Sequence, residues 1–443
     1  MSALYRLKPS AGMAQTSCRI SSSVMKRSMS FLALLLLSSP APAQDGTWNL
    51  PIGDPARKEK TVRPLLDVVL DLRSGDSLTP AGLAERLKGV RLLFVGESHT
   101  EIEIHRMQLR VLQELKRAGR RVHVGLEMYP YSDQGFLDQW NAGSLTEEAF
   151  VKKSRWYKSW GYHWDYYREI FLFARANGIP LHGVNTPREV VSAVRKKGFK
   201  DLTPDEAAHI PSRIDTESSE GKKLFAANFG PEDSMHGSMT PEQLEGMYRA
   251  QCTWDATMAF NAVQALKADP DPAAIMVVLI GSGHVVYGLG AERQAKAWFD
   301  GKTATLVPVP IQDEKGKPIT VRASIGDFIW GIPRPTDPVY PALGISTREA
   351  KDPERLVVIA VEKEGVGSAA GFRTGDEIVT MDDGAVPTKE TMALRMSEKR
   401  WADAAVFRVR RGSDTIALTA YFHRTADSDL KASPVPTDWK AKP

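Results

Sequence analysis

Four short apolar runs in this chain each break off on polar residues. Residues 91–95 (RLLFV) lead into Gly96-Glu97-Ser98-His99, and 122–126 (VHVGL) lead into Glu127. Residues 180–184 (PLHGV) lead into Asn185, and 275–280 (IMVVLI) lead into Gly281-Ser282-Gly283-His284. Runs of this length and composition predict buried strands. Between them lie helical patterns. Met107, Val111, Leu112 and Leu115 share one face of a helix predicted over 105–118, with Gly119 as its C-cap. Further helices are predicted over 185–197, 241–267 and 291–299. Strands alternating with helices predict βαβ units and an α/β fold with a largely parallel sheet and flanking helices. Ligands of such sheets sit at the carboxyl ends of the strands, so the four polar ends should converge on one site.

The same reading places helices over 65–72 and 81–87, the second opened by Thr79-Pro80 in N-cap and N1 order. An aromatic-rich helical stretch runs over 133–177. Residues 200–243 are polar, broken by Pro and Gly, and read as a mobile insertion or lid. Residues 305–310 read as an edge strand, and Thr336-Asp337-Pro338 as a linker. Beyond the linker the texture changes to short strands over 356–361, 377–381, 405–410 and 415–421, with one helix over 389–398. The expected organisation is a first domain over 44–335 with its core at about 60–310, a small β-rich domain over 336–425, and a disordered tail over 426–443.

Composition changes this picture mainly at the N-terminus. The 443 residues are 42% hydrophobic and 25% charged, which suits a globular chain with a full core. Residues 31–37 (FLALLLL) form a short apolar stretch after Lys26 and Arg27 and before Ala41-Pro42-Ala43. That pattern predicts a cleavable signal peptide over 1–43 and a periplasmic or secreted protein. Met25 is an alternative start, and no Cys follows the apolar stretch to carry a lipid anchor. Cleavage removes five cationic and no acidic residues, so the formal charge goes from +4 to −1. The electrostatic case for nucleic acid then disappears. Cleavage also removes Cys18, leaving Cys252 alone on a helical pattern as a small core residue.

Candidate chemistry sits at the strand ends. Glu97 and His99 lie two apart in a turn, Glu127 ends a second strand, and His284 follows a Gly-Ser-Gly turn. Two imidazoles and two carboxylates can hold a divalent metal, with Glu97, His99 and His284 as its ligands, or act as an acid/base set. The alternative is that these groups only satisfy strand ends. Arg188, near Asn185, can hold a carboxylate or serve as a structural ion pair. Residues 156–167 (WYKSWGYHWDYY) are dense in rings. Trp160, Tyr162, Tyr166 and Tyr167 can wall a pocket for a flat apolar ligand, and a Tyr can ligate haem iron. Packing in the core is the other reading. His105 and His163 are secondary candidates, His182 reads as a core histidine, and His236 falls in the polar insertion. There is no G-x-G-x-x-G after the first strand, no Walker A, no G-x-S-x-G and no H-E-x-x-H.

Several motifs, in order, carry a resemblance. They are Gly96-Glu97-Ser98-His99, Gly125-Leu126-Glu127-Met128, Trp160-Gly161-Tyr162 with Tyr166-Tyr167-Arg168, and Val184-Asn185-Thr186-Pro187-Arg188-Glu189. Ala250-Gln251 with Trp254-Asp255, and Gly281-Ser282-Gly283-His284 with Tyr287-Gly288, complete the set. From Leu93 to about Trp298 the chain resembles the ChaN family of haem-binding uptake proteins, within the wider Tiki/TraB/erythromycin-esterase-like group. The resemblance implies haem as cofactor, a role in iron acquisition and a possible homodimer. The wider group implies instead a metal-dependent or general-base hydrolase with Glu97, His99 and His284 at its motif positions, and the strand-end reading adds Glu127 and Arg188 to that catalytic set. Ser368-Ala369-Ala370-Gly371-Phe372 and Thr374-Gly375-Asp376-Glu377-Ile378 resemble a bacterial PDZ domain. That resemblance implies a C-terminal or extended peptide as partner, its carboxylate held by Leu343, Gly344 and Ile345. A scaffold acting only through this groove is the remaining alternative.

Overall fold

The computed structural model describes residues 47–228, 240–336, 338–351 and 353–424. The predicted signal peptide, His236 and the tail 426–443 lie outside the described residues. The strands of the first region are β1 (Thr61–Val62), β2 (Val69–Asp71), β3 (Ser77–Leu78), β4 (Val90–Glu97), β5 (Val122–Pro130), β6 (Leu181–Asn185), β7 (Ile275–Gly281), β8 (Lys302–Pro310), β9 (Val321–Arg322) and β10 (Phe328–Ile332). Eight of them build one sheet in the order β3-β2-β10-β8-β4-β7-β5-β6. The six from β10 to β6 are parallel, and β2 and β3 close one edge antiparallel. The predicted parallel sheet and flanking helices are therefore present.

The central strands read as unbroken apolar runs because both faces are covered. Alternation assigns each residue its face. Leu93 and Val95 of β4, with Val277 and Leu279 of β7, join a core with the helix Ile102–Arg117 and the aromatic segments. Leu92, Phe94, Met276 and Val278 point to the other face, where Met258, Ala259, Ala262 and Val263 of the helix Pro241–Ala268 cover them.

Several expectations need correction. Residues 65–72 are not a helix: Val69–Asp71 is strand β2 on β10, and Leu65 and Leu66 are 50% and 48% exposed. An apolar run with no helix face to bury was captured by a strand partner. Residues 305–310 belong to β8, which is interior, between β4 and β10. Proline cannot donate to a ladder, which restricts where Pro308 and Pro310 can sit in an interior strand. The pairing with β4 stops at Leu306, so both prolines lie where β8 is paired only with β10. The aromatic stretch is four short helices, Gln134–Asn141, Glu147–Lys153, Trp156–Ser159 and Arg168–Ala176. Arg155 at φ 51° and Gly161 at φ 86° break the run. The insertion contains helices Pro204–Ala207 and Ser219–Ala227, and the helix predicted over 291–299 stops at Ala295.

The C-terminal strands are β11 (Ile345–Ala350), β12 (Arg355–Val361), β13 (Glu377–Met381), β14 (Gly384–Ala385), β15 (Ala404–Arg411) and β16 (Asp414–Tyr421), with helices Val366–Ala370 and Lys389–Ser397. The sheet order is β11-β12-β13-β15-β16, with β14 on β13. It encloses its own core around Val358, Phe372, Met381 and Phe407. Both this module and the first region fall within one compact unit. No helix among the described residues is long and apolar enough to cross a membrane.

Gly331 in β10 shows how closely the segment before β2 packs on this strand. A Cβ there would lie 2.0 Å from the Leu65 carbonyl oxygen. Gly331→Ala should therefore cost about 1–3 kcal/mol through forced backbone displacement. A urea midpoint unchanged from wild type would refute this.

Candidate functional site: a strand-end cleft

Four strands meet at the carboxyl edge of the sheet, where Glu97, Asn185 and Gly281 close β4, β6 and β7, and Glu127 of β5 follows directly on its last pair with β7. A cavity of about 1040 Å³ opens there, lined by Glu97, His99, Glu127, Trp160, Tyr162, Asn185, Arg188, Trp254, Asp255 and His284 among others.

Glu97 is buried and fully partnered. Its Oε1 accepts from His99 Nδ1 at 2.8 Å and from the Tyr167 hydroxyl at 2.7 Å, and its Oε2 accepts from Gln108 Nε2 at 2.8 Å. Burial disfavours its charge, but the bonds from His99 and Gln108 and the nearby imidazoles win, pulling its pKa down to about 2. With Nδ1 committed to Glu97, His99 keeps Nε2 as its remaining ring nitrogen. The ring stands 4.7 Å from Trp160, edge to face, and 4.9 Å from Tyr162. His105 lies behind, with Nε2 donating to the His99 carbonyl at 3.2 Å. Burial lowers its pKa, which favours the neutral ring.

Glu127 and His284 form the opposite wall. Glu127 Oε2 accepts from the Gly281 amide at 2.7 Å, and its backbone carbonyl accepts from Asn185 Nδ2 at 2.9 Å. His284 Nδ1 donates to Asp255 Oδ1 at 2.6 Å, and Nε2 faces Glu127 Oε1 at 3.6 Å. Burial opposes the charge on His284, yet Asp255 and Glu127 outweigh it and lift its pKa to about 8. A folded pKa above the unfolded value means this group stabilises the fold fully below about 6.5. That contribution fades as pH rises through about 8. Asp255→Asn should let burial dominate, so the His284 ring should titrate clearly below 8 by proton NMR. An unmoved titration would separate Asp255 from His284.

Of the residues proposed from sequence, Glu97, His99, Glu127, Arg188, His284, Trp160 and Tyr162 line the cleft together. One oxygen or nitrogen each from Glu97, His99 and Glu127 lie within 4.8 Å of one another, a spacing that can hold a cation. His284 is not one of these three, and its Nε2 lies 3.6 Å from Glu127 Oε1. Arg188 is largely buried and donates to the Ser159 carbonyl, so it is tethered beside the cleft. Tyr166 and Tyr167 do not line the cavity. Tyr167 is fully buried with its hydroxyl on Glu97, and the Tyr166 oxygen accepts from the Tyr340 amide at 3.3 Å. Both are therefore positioned as structural supports and not as open ligands. His163 stacks on Tyr340 at 3.4 Å, and His182 pairs with His123 at 2.9 Å, away from the cleft. Cys252 is buried, and burial pushes its thiol up to about 12.

Gln251, Asp255 and Gln108 were not singled out as functional from sequence. Gln251 and Asp255 stand four apart on one helix and both meet His284 Nδ1. Polar residues at i and i+4 on an otherwise buried helix face were the available signal.

Residues 83–294 match the family described as "Haem-binding uptake, Tiki superfamily, ChaN", and residues 341–420 match the PDZ domain. A curated relative, "Protein RETICULATA-RELATED 5, chloroplastic" from Arabidopsis thaliana, is 24% identical over 213 residues. The match covers 46% of this chain and 28% of that protein, so the chain spans under a third of the relative's length. Among solved structures, "Cofacial heme binding to ChaN of Campylobacter jejuni" is 17% identical at a TM-score of 0.44, covering 59% of this chain and 95% of that one. The HtrA3 PDZ domain bound to a phage-derived ligand is 18% identical at a TM-score of 0.17, covering 18% of this chain and 83% of that one. The chain thus carries a region that matches the ChaN family model, followed by a region that matches a PDZ domain.

Proposed function

We propose that the strand-end cleft binds haem and that the protein serves haem-linked iron uptake outside the cytoplasm. The observation that carries this reading is the Glu97–His99 pair. A carboxylate fixing one imidazole nitrogen is the usual support of a metal-ligating histidine, whose other nitrogen takes the metal. His99 would hold the iron through Nε2, between the rings of Trp160 and Tyr162. Lys158 and Arg188, on the same lining, are cations suited to the carboxylates of a haem. The cavity is at the upper end of the usual range for small-molecule sites. Bound haem would supply an iron centre, while the chain's own residues orient it and shield it from water. The leader pattern at 26–43 supports export.

Haemin titrated into the full chain should give a saturable Soret shift. A spectrum identical to free haemin at every ratio would end this reading. A second reading rests on the Glu97, His99 and Glu127 group with the His284–Asp255 pair beside it. A divalent metal there, with His284 as acid or base, would make the cleft hydrolytic. Stoichiometric metal in the protein as isolated, without a haemin response, would select that reading.

A further inference from the structure

We propose that the PDZ loop at 342–345 and the strand-end cleft form one binding site for a peptide with a free C-terminal carboxylate, whose terminus enters the cleft. Haem and the peptide terminus would share Lys158 and Arg188, so the two would compete for the cleft. Leu343, Gly344, Ile345 and Ser346 line the same cavity as His99 and Arg188. The loop's carbonyls are engaged, Leu343 by the Gly367 amide at 2.6 Å and Gly344 by the Glu362 amide at 2.8 Å. The Leu343 and Gly344 amides donate to nothing among the described residues. Strand β11, which follows the loop, is the outer strand of its sheet, so an extended chain can pair along it. Lys158 and Arg188, from the other domain, line the same cavity and can complement an anionic terminus.

The module is fixed in this position by specific contacts. Arg155 pairs with Glu390, and His163 Nε2 donates to the Ser397 carbonyl at 2.9 Å. The helix Lys389–Ser397 packs against Trp156–Ser159, and Tyr340 stacks on His163. The α/β domain therefore shapes what the PDZ loop can receive. Carboxylates on this lining oppose an anion, Glu127, Glu189, Asp255 and Glu362 among them, and the one beside the loop is Glu362, whose Oε2 would lie 2.7 Å from a Cβ placed on Gly344. Its charge supplies a test with a defined sign.

The probe is a fluorescein-labelled pool of random octapeptides with a photoreactive leucine at the penultimate position, made with a free or an amidated C-terminus. On the full chain, the free-acid pool should bind saturably and about tenfold or more tighter than the amide, the scale of a charge-assisted carboxylate contact. Irradiation should label the PDZ loop and also the strand-end segments around His99, Arg188 and His284. Glu362→Gln should tighten binding several-fold. Arg155→Glu should retain binding but lose strand-end labelling, and Glu390→Arg added to it should restore the labelling. Labelling confined to residues 341–424, equal binding of acid and amide, or no binding would each overturn the proposal.

Discussion

Glu97→Ala should lower the stability of the α/β domain by roughly 3–5 kcal/mol, the cost of stripping the partner from buried charge-assisted donors. Three donors converge on this carboxylate, from His99, Tyr167 and Gln108. Without it the Tyr167 hydroxyl is sealed beneath the cleft with no access to water. Glu97→Gln should cost less, since it keeps one acceptor oxygen. The acid limb gives an independent check. Glu97 titrates at about 2 when folded, below the ordinary carboxylate value of 4.5. A depressed folded pKa contributes stability above about 4.5 that is lost as pH falls towards 2, on the order of 3 kcal/mol. Denaturant midpoints followed by tryptophan fluorescence at pH 7 and pH 3 should therefore converge between wild type and Glu97→Gln. A loss under 1 kcal/mol for Glu97→Ala at pH 7 would show that the cluster is not holding the fold.

The second large effect concerns ligand binding. His99→Ala should abolish the haemin Soret shift while leaving the far-ultraviolet dichroism intact. His99 borders a cavity, so its truncation removes less packing than a core deletion would. Glu97→Gln should weaken haemin about 10–100-fold, as expected when a histidine ligand loses its orienting carboxylate. Tyr162→Phe tests the neighbouring ring, since it preserves the stacking surface and removes only the hydroxyl. A Soret band that survives His99→Ala but disappears in Tyr162→Phe would move the ligand from the imidazole to the phenol.

The strand ends could be read from sequence because burial on both faces writes a continuous apolar run, and the run ends where the sheet meets solvent. Glu97, Glu127, Asn185 and His284 were placed correctly at one edge by that reasoning alone. It failed where a partner strand decided the outcome. Residues 65–72 have an apolar pattern compatible with a helix, and only pairing with β10 makes Val69–Asp71 a strand. The tyrosines could not be told apart in the sequence for another reason. Tyr162, Tyr166 and Tyr167 are equivalent as letters, yet the break at Gly161 and the short turns after it send Tyr162 to the cleft and the other two beneath it or behind it. The PDZ signature identified the module from local glycine spacing. No local pattern could reveal that its loop shares a cavity with residues some 240 positions earlier.

The direction of β10 has a topographic consequence. Because β10 runs parallel to β8, the chain leaves the sheet at Ile332 on the side where Glu97 and Glu127 also emerge. Anything tethered after Ile332 by a few residues begins its path above the functional rim and not at the far pole. Had that last strand entered from the opposite direction, the same linker would have delivered the module to the inert end of the sheet. The polarity of one five-residue strand thus acts as an address label for whatever evolution attaches behind it.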